Sequence, residues 1–201
     1  MMNPSKIQLS AEEWQLVQNS DWILTKHAVI GKVYQLFGQM ADHMRAGGQP
    51  PGTLPEAVWR HAPKISKGEQ YQQMPWVVLD YPRHFTREQV FAIRSFFWWG
   101  HYFSCTLHLK GSYRQQLAPA IVQEAAAGKW AGYYWSAGGG EFDFDVQTGH
   151  YTAMDKRIPT LAEAQEGDFL KLTVIHPLSA WDTAQERLLA AYLAFVSMAT
   201  R

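Results

Sequence analysis

Cysteine is almost missing from this chain: its 201 residues include one, Cys105. An internal disulfide is therefore excluded, and a reducing compartment, the cytoplasm, is the expectation. A surplus of one charge is missing too. Eighteen basic residues balance eighteen acidic ones, and no run of Lys or Arg exceeds two. Nucleic-acid binders concentrate positive charge on one face, so no nucleic-acid partner is expected, nor is a charged disordered tail. Long hydrophobic runs are also missing. The longest apolar-aromatic stretch, Phe96 to Leu109, is broken by Gly100, His101 and His108 and falls short of the roughly 20 residues of a membrane span. The opening MMNPSKIQLS has no apolar signal-peptide core, so no membrane partner is expected. Repeats and low-complexity tracts are absent as well.

Aromatic residues, by contrast, are abundant. Nine Trp, nine Tyr and ten Phe make up 14% of the chain, more than a core of this size needs. Some should line a cleft or an interface, where one side is apolar and the other wet. A homo-oligomer stays open on the same ground.

Hydrophobic periodicity orders the chain. Ser10 and Glu13 form a capping-box pattern, and a helical segment follows over 10–46 with a break near Asn19-Ser20-Asp21. In its second part Val29, Val33, Leu36, Met40 and Met44 share one face. Gly31 and Gly38 beside Tyr34 suggest a flank where another element packs close. Residues 47–63 read as a loop and 64–176 as a sheet-containing body. Within that body Pro75–Asp80 is a central strand closed by Tyr81-Pro82. Thr86 to Gln89 forms a second capping-box pattern and predicts a short helix through Arg94 to about Phe97. Trp98–Lys110 reads as a strand, Ser112–Ala127 as a helix that Pro119 kinks or restarts, and Trp130–Trp135 as a strand. Glu141–Val146 alternates as a half-buried strand, with a turn at Gln147–Gly149 and a return over His150–Met154. Phe169–Ile175 is a further strand, and Ser179 caps a C-terminal helix over 180–199. The fold class is α+β: a single domain, 1–201, with a mostly antiparallel sheet of five or six strands. A long N-terminal helix and a C-terminal helix pack on that sheet.

Candidate chemistry is sparse. His101, Cys105 and His108 would share one face of a helix but not of a strand, and a strand leaves too few ligands for zinc. Neither a metal nor a cofactor is expected. Cys105 reads as a buried, inert thiol. Glu141, Asp143 and Asp145 read as the solvated face of a strand whose other face carries Phe142 and Phe144. Gly138–Gly140 reads as a turn, since no P-loop Lys-Ser/Thr follows it.

The richest region is Lys64–His101. Polar groups accumulate there beside aromatics, and the Asp80–Arg83 turn stands where a strand ends. Arg94, flanked by Phe91 and Trp98 on the expected helix, needs an acceptor: Asp80, Glu88 or an external anion. The expected site is an aromatic, arginine-lined cleft of Tyr71, Asp80, Arg83, Arg94, Trp98, Trp99 and His101. It would bind a small molecule or a protein partner without catalysis. The rival expectation is a hydrolase or transferase acting on a small anionic substrate, with His84 or His101 as acid–base.

Overall fold

The computed structural model describes residues 7–48, 50, 52 and 54–200. The opening residues 1–6, and positions 49, 51 and 53 of the expected loop, lie outside the described residues. The chain starts with two helices, α1 (Ala11–Gln18) and α2 (Ser20–Ala46). The break falls where expected, because Asn19 leaves helical geometry and its side chain accepts from the Trp22 amide. At Ser10 the capping box is complete, with Ser10 Oγ on the Glu13 amide and Glu13 on the Ser10 amide. Only the second part of α2 is buried, through Ile30, Val33, Phe37, Met40, Ala41 and Met44. Gly31 and Gly38 are not packing flanks: a Cβ at either meets nothing within 4 Å.

A four-residue helix, α3 (Glu56–Trp59), interrupts the expected loop. There follow β1 (Lys64–Tyr71), β2 (Met74–Phe85), β3 (Val90–Trp98), β4 (Tyr102–Lys110), α4 (Ser112–Ala126), β5 (Tyr134–Ser136), β6 (Thr152–Ala153), α5 (Leu161–Gln165) and β7 (Phe169–Pro177). A 3-10 turn over Leu178–Thr183 then leads into α6 (Ala184–Ala199). The seven strands form one sheet in the order β1-β2-β3-β4-β7-β5-β6, and every pairing is antiparallel. The architecture is the expected α+β one, with slightly more strands than foreseen. Among the described residues, no helix is long and apolar enough to cross a membrane.

Several local expectations are overturned. Thr86–Gln89 is a hairpin turn, not a helix start: Thr86 Oγ1 accepts from the Gln89 amide while the Thr86 amide donates to the Gln89 carbonyl at 2.8 Å. The segment after it is β3, because Val90–Trp98 is rich in aromatic and β-branched residues that suit a sheet. Strand β2 does not close at Tyr81-Pro82 but runs on to Phe85 through a bulge between Asp80 and Arg83. Pro119 sits inside a single helix α4, and Ser179 caps nothing, since α6 starts at Ala184 after the 3-10 turn. Glu141–Val146 is not a strand but part of the loop between β5 and β6.

The sheet has two unlike faces. Val77, Leu79, Phe91, Ile93, Phe97, Phe103, Leu107 and Leu172 face α2, α4 and α6 in one apolar core. Among the described residues the opposite face is covered by the 138–151 loop, through a smaller cluster that includes Phe96, Trp98, Tyr102, Phe144, Val146 and Tyr151.

Candidate functional site

On the loop-covered face, cross-strand register lines up a polar row. Asp80 of β2 stands opposite Arg94 of β3, Arg94 opposite Thr106 of β4, and Thr106 opposite Thr173 of β7. The Arg94 guanidinium grips Asp80 with two bonds, Nε to Oδ1 at 2.7 Å and Nη2 to Oδ2 at 2.8 Å. Thr106 and Thr173 share a 3.0 Å hydroxyl bond. One step along the strands, His108 stands opposite Lys171, and both are buried.

The loop has no strand ladder of its own over 141–146, so its backbone groups need other partners. Side chains of the sheet supply them. Tyr71 Oη accepts from the Phe144 amide at 2.8 Å and donates to Asp143 Oδ1 at 3.0 Å. Tyr102 Oη accepts from the Val146 amide and donates to the Phe144 carbonyl, both at 3.1 Å. Lys171 Nζ donates to the carbonyls of Gly140, Glu141 and Asp143, amid the rings of Phe144, Tyr151 and Phe169. The loop also ties itself: Asp143 Oδ1 accepts from the Asp145 amide and Asp145 Oδ1 from the Gln147 amide, as Asp side chains do in tight turns.

The three carboxylates are thus not a solvated row. Glu141 pairs with Lys110 at 2.9 Å, Asp143 takes the bonds just described, and buried Asp145 accepts from Gln72 at 3.2 Å. Phe144 packs down onto the sheet while Phe142, expected beside it, stands 57% exposed.

Charge states follow from burial. Desolvation, with Lys171, Arg94 and Lys110 nearby, lowers His108 to about 3, so it is neutral. Its Nε2 lies 3.4 Å from Glu141 Oε1 without a hydrogen bond, so this is a contact and not an ion pair. Burial also lowers Lys171 to about 8, against the pull of Asp143 and Glu141. Burial alone would raise Asp143, but bonds from the Asp145 amide, Thr148 and Tyr71 hold it below its ordinary value. Burial pushes Cys105 up to about 12, as an inert thiol requires.

Beside the loop lies a cleft of about 500 Å³. Its floor is Trp76, Val78 and Asp80 of β2 with Arg94 and Phe96 of β3; Tyr71 and Ser66 of β1 form one wall, and Phe142 and Phe144 the other. Phe144 lies over the Arg94 guanidinium at 4.7 Å. Gly68 is what lets Trp76 lie across β1, since a Cβ there would come within 2.6 Å of the indole.

Of the expected site residues, Tyr71, Asp80 and Arg94 meet in this cleft. Arg83 points elsewhere and donates to the Ala62 carbonyl at 2.8 Å. Trp98 is buried under the loop, with Tyr71 edge-on at 5.1 Å. Trp99 packs on the helix side against Trp22 and Phe97. His101 is exposed in the β3–β4 turn and stacks on Trp98 at 3.5 Å. His84 lies against Tyr113, and neither histidine is among the residues lining the cleft. Arg94's acceptor is Asp80, from a neighbouring strand and not along a helix; Trp98 shares its face while Phe91 lies on the other. Among the described residues, no three His, Cys, Asp or Glu side chains are grouped to hold a metal ion.

Of the lining residues, the expected site held only Tyr71, Asp80 and Arg94; it left out Trp76, Phe96, Phe142 and Phe144 among the aromatics and Lys64, Ser66, Gln70 and Val78 beside them, and it missed Lys171 as the anchor of the loop. One signal was available: a lysine inside the apolar strand sequence FLKLTVI implies a buried charge with dedicated partners. Compared with known proteins, the chain matches no family model, no curated protein and no solved structure.

Proposed function

We propose that this protein is a non-catalytic binding protein that takes a small, flat organic molecule in the cleft over Asp80 and Arg94. The observation that carries this reading is the setting of the ion pair, which forms part of the floor of a concave, aromatic-walled space. Small-molecule sites share this make-up, with apolar walls and a few placed polar groups. Trp76, Tyr71 and Phe142 offer faces and edges to a flat ring. Arg94 and Asp80 offer a donor and an acceptor side by side. Asp80 balances the guanidinium charge, so the pair itself offers a hydrogen-bonding edge, while Lys64, across from Asp80 on β1, adds one cation to the same cleft. A buried thiol with a raised pKa suits the cytoplasm.

Ligand-observed NMR with a panel of flat aromatic amides, amines and carboxylates tests the reading. Amides and amines should bind wild type at millimolar concentration, and binding should weaken about tenfold in Trp76→Ala, a loss of about 1.4 kcal/mol. A panel without binders, or binders indifferent to Trp76→Ala, would overturn it.

A further inference from the structure

The N-terminal arm is the second feature of the molecule that water alone does not explain. Of the fourteen exposed large hydrophobic residues among those described, eight lie within residues 7–24. Six of them, Trp14, Leu16, Val17, Trp22, Ile23 and Leu24, stand on α1 and the first turns of α2 and are 47–67% exposed. Helix α1 has no buried residue. Scattered exposed apolar residues need no explanation, but a concentration of this size marks an interaction surface. An eight-residue helix is also far below the roughly 12–15 residues at which helices become even marginal in water, so packing must hold it.

From these observations we infer that the arm is the interface of a symmetric homodimer, with a second copy of this chain as its occupant. Two arguments choose that occupant. The first is area. Two half-exposed tryptophans offer about 100 Å² each, and with the four aliphatic side chains the arm presents about 500 Å² of apolar surface. A standard interface buries about 800 Å² per partner, a little over half of it apolar. The arm thus supplies the apolar share of one ordinary interface.

The second argument is charge. The arm carries Glu12, Glu13 and Asp21, whereas the region where α2 meets the body carries Lys26, Lys32 and Lys67. There Lys26, His27, Ile30, Gly31, Tyr34, Lys67 and Glu69 line a groove of about 300 Å³; Glu69 pairs with Lys26, so Lys67 and the neighbouring Lys32 carry the positive charge left over. Gly31 leaves that groove open, because a Cβ there meets nothing within 4 Å. A two-fold axis near Trp22, with the arms antiparallel, sets the acidic α1 of each copy against the Lys32 and Lys67 side of the other's groove. Trp14 then enters the space beside Gly31. Both contacts occur twice, as two-fold symmetry requires. The same acidic residues oppose adsorption to an anionic membrane.

Sedimentation velocity on the full chain from 1 to 200 µM tests this, with circular dichroism to verify folding. Wild type should dimerise within that range, and Trp14→Glu and Leu24→Glu should remain monomeric up to the highest concentration. Gly31→Leu fills the groove without touching the core, so it should be folded, at least as stable as wild type to heat, and monomeric. A Glu12→Lys, Glu13→Gln chain, which keeps the capping box at Ser10, should self-associate at least tenfold more weakly, and mixing it with a Lys32→Glu, Lys67→Glu chain should restore dimers. Monomeric wild type throughout, open-ended higher assembly, dimers indifferent to Gly31→Leu, or binding of a monomer to phosphatidylcholine vesicles through the arm would each overturn the proposal.

Discussion

The two faces of the sheet are held in different ways. On the helix side, Val77, Ile93, Phe97, Phe103 and Leu107 meet three amphipathic helices, and burial of apolar area is the whole account. On the loop side, Asp80, Arg94, Thr106, His108, Lys171 and Thr173 stand under a segment with no ladder of its own. That side is held by particular bonds, Asp80 to Arg94, Thr106 to Thr173 and Lys171 to the loop carbonyls, while His108 Nε2 is buried without a hydrogen bond. An apolar face tolerates shifts among side chains of similar volume, whereas a polar network fails when one member leaves. The candidate cleft borders the second face, so its shape depends on bonds more than on packing.

This contrast can be broken most forcefully from the helix side. Phe97 is 2% exposed at the centre of that core, and Phe97→Ala should cost about 4 kcal/mol in urea unfolding. Ligand binding below the transition should be unchanged, because the cavity opens away from the cleft. On the loop side, Arg94→Met leaves Asp80 buried without its partner and should cost about 3 kcal/mol. The double variant Asp80→Leu, Arg94→Met should regain most of that loss by the same assay. If the single and double variants are equally unstable, something other than the pair governs this face.

A smaller effect comes from pH. His108 titrates near 3 in the folded protein against about 6.5 unfolded. As pH falls below 6.5 the unfolded chain takes up a proton that the folded one refuses, so stability declines with falling pH. Between pH 6.5 and 5 the loss from this residue should be about 1.5 kcal/mol, and it should vanish in His108→Gln. Chemical denaturation at both pH values measures the difference. Smallest of all in stability is Gly68→Ala. It should cost under about 1 kcal/mol, since the displaced Trp76 is only half-buried, yet it should disturb the cleft wall and weaken binding.

The helix side was legible in the sequence because helices and buried strands announce themselves by period. The stripe through Val33, Met40 and Met44 and the capping box at Ser10 both describe what the chain does. Where local chemistry was ambiguous, tertiary context decided. Thr86-Arg-Glu-Gln89 satisfies a helix-start pattern, but the aromatic run after it pairs between β2 and β4, and the turn uses Thr86 for a hairpin instead. Glu141-Phe-Asp-Phe-Asp-Val146 alternates like a strand, yet its carboxylates cap turns and its backbone bonds to tyrosines from distant strands. No local window contains Tyr71 and Phe144 together. The cleft was half legible for the same reason. Asp80 and Arg94 were visible as candidates, while Phe142 and Phe144 reach them only through the loop's path across the sheet.

The central claim, a ligand cleft floored by the Asp80–Arg94 pair, is tested most directly by mapping where a bound fragment sits. Side-chain ¹⁵N NMR resolves the Trp76 indole N–H and the Arg94 Nε–H in the native protein. Adding the tightest-binding aromatic amide should shift both signals together, with a common saturation curve, and leave the Trp130 indole unmoved in the helix-side core. A fragment that binds while the Trp76 and Arg94 signals stay fixed would contradict the account.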